Sequence, residues 1–301
     1  MSVQILLSTY NGERYLRPLL DSLGSQDYPD LSILIRDDGS IDNTPALLRE
    51  YASSLKNVAV VHGEHLGFVQ SFLTLLGLAS RTSKYLALCD QDDVWQADKV
   101  SRAVELLSAC PPNLPALYCS RLALVDENLK PLRLSEMPTK GLSFRNALVE
   151  NHVVGCTSLF NQSALQLLTP LPSACVSHDW WIYLVASAFG AVVYDREPRI
   201  LYRQHAHNVF GISSSVSDRW KTKLRGFLND GKSRLIVKQA EEFRRIYGSA
   251  LTDEHRKVIN RLIDSRKQTW DRLRYAWSCD VYRQTILDQC ILKARIALDL
   301  L

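Results

Sequence analysis

Nowhere in the 301 residues do two cysteines stand as a C-x-x-C pair. The seven cysteines, Cys89, Cys110, Cys119, Cys156, Cys175, Cys279 and Cys290, are scattered and odd in number. That usage argues against a disulfide framework and a zinc site, and fits a reducing, cytoplasmic location. No apolar run approaches the roughly 18 residues of a membrane span. The opening MSVQILLSTYNG lacks the basic n-region and the long apolar core of a secretory leader. There is no low-complexity tract and no internal repeat. Charge of one sign is not in large excess, with 36 Lys and Arg against 32 Asp and Glu. No motif that reads nucleic acid accompanies it, so nucleic acid is not an expected partner.

The small net charge of +4 conceals an asymmetry. From residue 216 onward there are nineteen Lys and Arg against eleven Asp and Glu, so the rest of the chain is mildly acidic. A basic tail on an acidic body is expected to meet something anionic, a membrane surface first. A solvated helical surface and a contact with a second copy of the chain are the competing readings.

Up to about residue 90 the sequence alternates strand-like and helix-like segments. VQILLSTY, LSILIRDDGS, VAVVHG and YLALCD read as strands, and ERYLRPLLDSLGSQ, NTPALLREYASSL and GFVQSFLTLLGLAS as helices. This alternation predicts an α/β fold, a mostly parallel sheet with both faces covered by helices. Between Pro111 and Lys140 the pattern loosens. SHDWWIYLVASAFG predicts a helix with His178 and Asp179 at its start, and AVVYDREPRILYRQHAHNVFG a strand, a turn and a polar loop. Beyond Ser213 the composition shifts. Trp220, Leu224 and Phe227, then Ile236, Ala240, Phe243 and Tyr247, then Trp270, Leu273 and Trp277 keep a helical period. Residues 1–214 are therefore expected to form one domain and 215–301 a helical C-terminal region.

The stretch Tyr85–Trp95, YLALCDQDDVW, drives a buried-looking strand into three carboxylates. Such a cluster is costly unless a cation or several donors compensate it. Asp90 and Asp92, two apart, project to one side of an extended segment, which suits Mn²⁺ or Mg²⁺ held against a diphosphate. The competing reading makes Asp92 or Asp93 the N-cap of a helix over VWQADKVSRAVELL. STYNG, RDDGS and CDQDD each follow a strand, and ligands of open α/β sheets bind beyond the carboxyl ends of strands.

STYNG, RDDGS, EHLGFVQSF, CDQDDVW followed by DKV, GCTSLFN, and HDWW followed by YRQHAHNVFG occur in this order. Together they resemble a family 2 glycosyltransferase of the GT-A fold, more narrowly its rhamnosyltransferase-like members. The likeness spans about residues 3–211. It implies that Thr9, Tyr10, Asn11 and Glu13 line the nucleotide site. It implies that Asp37 hydrogen-bonds the pyrimidine base with Asp38 beside it, and that Gly67, Gln70, Gln91 and Arg203 lie along the donor. Asp90 and Asp92 match the metal motif, and His205 matches a histidine that completes the metal shell in some relatives. Asp179 matches the general base, although His178 stands where many relatives carry Glu. His178, Trp180 and Trp181 are the residues expected at the acceptor, where Trp rings can offer an apolar platform for a sugar. More often such a pair is core.

The function this implies is inverting, metal-dependent transfer of a sugar to a bacterial surface polysaccharide or lipid-linked glycan. The donor is expected to be dTDP-rhamnose, with a UDP-sugar as the alternative. Two other classes fit less well. A nucleotidyltransferase wants a Gly-rich first loop, of which STYNGERYL is a poor version. A non-catalytic nucleotide-sugar-binding subunit would tolerate loss of acids that are all present here. A glycosidase wants two carboxylates facing each other across a bond rather than a cluster at a strand end.

Overall fold

The computed structural model describes residues 2–205, 231–278 and 280–301. The chain forms two compact units. The first comprises Met1–Met137, Val153–Leu171 and Gly190–His205, and the second Pro138–His152, Pro172–Phe189 and the tail to Leu301. The boundary expected at 214/215 falls outside the described residues.

The first unit carries a large mixed sheet. Its strands are β1 (Val3–Thr9), β2 (Leu31–Asp37), β3 (Val58–His62), β4 (Tyr85–Cys89), β6 (Ala116–Ser120), β9 (Leu159–Asn161) and β10 (Ala191–Asp195), in the order β10-β6-β9-β4-β1-β2-β3. All neighbours run parallel except β9, which is antiparallel to both β4 and β6. A second sheet joins β5 (Val94–Trp95), β7 (Ala123–Val125), β8 (Pro131–Leu134) and β11 (Ile200–Arg203) in the order β5-β11-β7-β8. Consecutive residues of β1 and β4, among them Ile5, Leu6, Leu7, Leu86, Ala87 and Leu88, are all fully buried. Both faces of the sheet are therefore covered, which is why these strands read as unbroken apolar runs rather than alternating ones. The helix Glu13–Gly24 buries Leu16, Leu19, Leu20 and Leu23, a single stripe at helical spacing.

Two expectations need correction. The helix expected from Val94 begins at Lys99 instead, with Asp98 at its N-cap position. Val94 and Trp95 pair with Leu201 and Ile200 as a strand, so neither Asp92 nor Asp93 caps a helix. The loose stretch 111–140 contains three strands, and the expected single strand after Gly190 is two.

In the second unit the described part of the tail is helical: Gly231–Tyr247, Asp253–Asp264, Thr269–Trp277 and Ile286–Ala297. The tail packs on segments drawn from the middle of the chain. Phe243 meets Phe144, Trp181 and Phe189 at ring-centroid separations of 5.6, 5.4 and 6.4 Å. Gln239 and Glu242 accept the main-chain amides of Val176 and Ser173 at 2.8 Å each. The period Ile236, Ala240, Phe243, Tyr247 faces inward, whereas Trp270 and Trp277 are 79% and 81% exposed. Trp220, Leu224 and Phe227 lie outside the described residues. Among the described residues no helix is long and apolar enough to cross a membrane.

Candidate active site

In the order β4-β1-β2 three polar loops leave neighbouring strands at the same end. Leu7 pairs with Cys89 and Thr9 with Asp37, so STYNG, DDGS and DQDD emerge side by side. Side chains then tie the loops together. The Gln91 amide accepts the Tyr10 N–H at 2.8 Å and donates to the Tyr10 carbonyl at 2.9 Å, pairing with that residue as another strand would. Gly12 makes room for it, because a Cβ there would meet Gln91 Oε1 at 2.3 Å. Asn11 donates its amide to Ser40 Oγ and accepts from Ile41 N–H, both at 2.9 Å. Glu13 accepts the Asn43 N–H at 2.8 Å and so closes the start of the helix Thr44–Ser54.

The two acids of RDDGS do different things. Asp37 Oδ1 accepts from the hydroxyls of Thr9 at 3.2 Å and Ser40 at 2.5 Å. Its Oδ2 has longer contacts, the Ser40 amide at 3.3 Å and His62 Nδ1 at 3.6 Å. Asp38 is 2% exposed and pairs with Arg36, itself 3% exposed. It also accepts the Leu66 and Gly67 amides at 3.0 and 2.8 Å. Burial alone would raise the Asp38 carboxyl, but the Leu66 amide, Arg36 and the Gly67 amide overcome it and hold the group below the usual carboxylate range. Gly67 has φ +84°, a left-handed turn that glycine adopts at no steric cost, and the helix Phe68–Leu78 starts behind it. Gln70 is exposed on that helix. Tyr10, 39% exposed, stacks on His65 with 4.0 Å between ring centroids.

The carboxylates after β4 divide by depth. Asp92 Oδ2 lies 2.8 Å from His205 Nε2, so two of the expected metal ligands touch. Asp93 is wholly buried and accepts the Arg203 N–H at 3.1 Å. Burial, then Asp92 and Asp90, push its carboxyl well above the usual range. Behind it Lys99, 1% exposed, lies 3.3 Å from the centre of the Trp95 ring, and burial lowers its ammonium to about 8. Asp90, Asp93 and Cys156 could also bring one ligand atom each within 4.8 Å of one another. Burial raises the Cys156 thiol well above its ordinary value, so Cys156 and Asp93 are poor ligands for a hard cation. The shallower set fits a hard divalent ion better: two carboxylates, Asp90 and Asp92, and the His205 imidazole, whose nitrogen suits Mn²⁺ more than Mg²⁺. Arg203, expected along the donor, is 3% exposed. It donates to the carbonyls of Asp92 at 2.8 Å and Glu127 at 2.5 Å, and lies 4.7 Å from the Tyr15 ring. In this structure it braces the acidic loop.

The second unit holds the remaining expected residues. Its helix His178–Phe189 starts one residue ahead of Asp179, so Asp179 lies in the first turn. Asp179 Oδ1 accepts from Ser177 Oγ at 2.5 Å and from Trp180 N–H at 2.7 Å. His178 is fully buried, and burial lowers its imidazole to about 4 against the raising effect of Asp179, so the ring is neutral near pH 7. The reading of the tryptophans as a sugar platform is corrected. Trp181 is 1% exposed against Phe243 and Tyr247, and Trp180 is 8% exposed with its indole N–H on the Ala147 carbonyl at 2.5 Å. Both are core residues.

Sequence reasoning missed Arg36, Lys99, Asp93 and Cys156 as parts of the site's support. One signal was available: a lone basic residue inside the apolar run LSILIRDD is costly to bury without an acid to meet it.

A parallel-rich sheet with acidic loops at one end of its central strands is the architecture of the GT-A glycosyltransferases. The chain belongs to glycosyl transferase family 2, whose model matches residues 4–168. It is 28% identical to the dTDP-rhamnosyl transferase RfbG of Shigella flexneri, over 71% of this chain and 77% of that protein. It is 27% identical to an uncharacterized protein of Mycobacterium tuberculosis, Rv1520, over 74% of this chain, and spans 65% of that relative's length. Two solved structures share the fold. One is Staphylococcus aureus TarS residues 1–349 with UDP-GlcNAc, with a TM-score of 0.59 and 14% identity over 99% of this chain and 91% of that one. The other is a mannosyltransferase of Pyrobaculum calidifontis with GDP-Man and Mn²⁺, with a TM-score of 0.51 and 16% identity over 99% and 80%.

Proposed function

We propose that the chain transfers a 6-deoxyhexose, best matched by L-rhamnose from dTDP-rhamnose, to a hydroxyl of a bacterial surface glycan or its lipid-linked precursor, with inversion. The observation that carries the donor assignment is the 28% identity to a dTDP-rhamnosyl transferase over 71% of the chain. A UDP-sugar is the second reading, favoured by the UDP-GlcNAc complex of a protein with this fold.

In this reading the loops after β1 and β2 take the nucleotide. Asp37, fixed by the Thr9 and Ser40 hydroxyls, accepts the ring N–H of thymine or uracil, a donor that cytosine lacks. Asp90, Asp92 and His205 would hold a divalent ion, which when bound supplies positive charge to the departing nucleoside diphosphate. Asp179 removes the proton of the acceptor hydroxyl as that oxygen attacks the anomeric carbon. The new C–O bond forms while the bond to the diphosphate breaks, the proton ends on Asp179, and no covalent enzyme intermediate is needed. The Ser177 and Trp180 donors fix the carboxylate of Asp179.

The test is a donor panel with Mn²⁺, read by thermal shift and nucleotide release, and repeated with Asp179→Asn. Stabilisation and turnover with dTDP-rhamnose are expected, with turnover in the variant reduced roughly 10²–10⁴-fold and donor binding retained. Response to a UDP-sugar alone overturns the donor assignment. Near-normal turnover in Asp179→Asn removes that residue from the mechanism.

A further inference from the structure

The helix Thr269–Trp277 places Trp270, Leu273 and Trp277 at i, i+3 and i+7, within one narrow arc of its surface. That face is turned outward. Trp270 is 79%, Leu273 36% and Trp277 81% exposed, while Tyr275 and Ala276 on the other side are buried. A helix normally buries such a stripe, and burying the opposite side instead leaves two indoles in water. Basic groups surround the stripe. The Lys293 ammonium lies 5.8 Å from the Trp277 ring, Lys267 is 72% exposed three residues before Trp270, and Arg274 is exposed on the same helix as the stripe. Acids are present too: Asp271 is exposed and Asp264 pairs with Lys267 at 2.9 Å. Over residues 231–301, however, fifteen Lys and Arg stand against nine Asp and Glu.

We propose that this face is a membrane-docking surface, on which Trp270, Leu273 and Trp277 enter the interfacial layer of an anionic bilayer while Lys267, Arg274 and Lys293 meet its phosphates. Two observations choose a bilayer over a protein. The residues are mainly tryptophan, whose amphipathic ring favours the membrane–water interface. The flanking charge complements anionic headgroups, each nearby Lys or Arg adding to the attraction. The surface belongs to the second unit and uses no residue assigned to the donor, so it stands or falls separately from the donor assignment.

The experiment is co-sedimentation of the full chain with vesicles of phosphatidylcholine alone and of phosphatidylcholine with phosphatidylglycerol, at low and high salt. The variants are Trp270→Gln/Trp277→Gln and Lys267→Glu/Lys293→Glu. Thermal melting and dTDP binding check that each variant is folded, and light scattering gives the mass. The native chain is expected to sediment with the anionic vesicles, less so in high salt. The tryptophan variant should partition about tenfold more weakly or worse, with melting and nucleotide binding kept. The charge-reversed variant should lose its preference for phosphatidylglycerol. Equal sedimentation of the native chain and the tryptophan variant overturns the proposal. So does a native mass of two chains that falls to one in the tryptophan variant, because the face would then bind a second copy.

Discussion

Asp38 is a strut rather than a ligand-facing acid, and removing it has a calculable cost. Asp38→Ala deletes the partner of Arg36, which is 3% exposed, and the acceptor of two amides at 3.0 and 2.8 Å. Stripping one member from a buried ion pair costs about 3–5 kcal/mol, since the other charge stays in place uncompensated. Arg36 keeps Ser71 Oγ at 3.0 Å and the Glu64 carbonyl at 2.9 Å, which softens the loss. The two stranded amides add to it. A net loss of about 4 kcal/mol is expected, read as the fall in the urea midpoint multiplied by the slope. The double variant Arg36→Met/Asp38→Leu should recover most of it, because a buried pair replaced by apolar groups is often neutral. Hydrogen exchange localises the effect: amides 64–72, leading into the helix Phe68–Leu78, should lose protection before those of β4. The sign with pH follows from the lowered carboxyl. The contribution is full above the unfolded pKa of about 3.9 and is lost as pH falls through the folded value. A loss below about 1 kcal/mol for Asp38→Ala, or a double variant worse than the single, would refute the strut.

Two further outcomes follow from the same kind of geometry. Gly12→Ala should displace the Gln91 side chain, whose Oε1 would sit 2.3 Å from the new Cβ. Losing the two Tyr10 bonds is expected to cost about 1–2 kcal/mol and to weaken dTDP binding, both measurable by calorimetry. In the second unit Arg245 grips Glu242 at 2.7 and 2.9 Å, the first cause of a carboxyl lowered to about 2. Because Arg245 is 63% exposed, solvent screening keeps the ion pair's own contribution small. That stability is present above the ordinary Glu value of about 4.3 and is lost as pH falls below it, so the melting gap between the native chain and Glu242→Gln should close on acidification. A gap that widens in acid contradicts the pairing.

Much of the first unit is legible in the sequence, for a physical reason. β1, β2 and β4 are buried on both faces, so their apolar runs are continuous and end where the loops turn polar. β9 has three residues and runs against its neighbours, and no local pattern announces either fact. The strand Val94–Trp95 exists because Leu201 and Ile200 come alongside it, so the helix begins later than its own periodicity implies. Arg36 and Lys99 are not legible as buried, because charge in sequence signals surface and their burial depends on acids that the fold brings near. Trp181 and Trp270 make the same point from the other side. Both sit in helical patterns, yet one is 1% and the other 79% exposed.

The tail changes meaning once its packing is known. Read from the sequence it is an appendage beyond the glycosyltransferase pattern. In the structure the helix that begins with His178 and Asp179 belongs to the tail's own unit. Trp181, two residues from Asp179, lies 5.4 Å from Phe243 and 6.1 Å from Tyr247. Gln239 and Glu242 anchor the chain that leads into that helix at Val176 and Ser173. The carboxylate proposed as the base is thus fixed at one end by a hydroxyl and an amide of its own turn, and behind by aromatic rings of the tail. A tail that also touched a bilayer would couple that contact to the helix carrying the base by way of the helix Asp253–Asp264, which packs on both Thr269–Trp277 and Gly231–Tyr247.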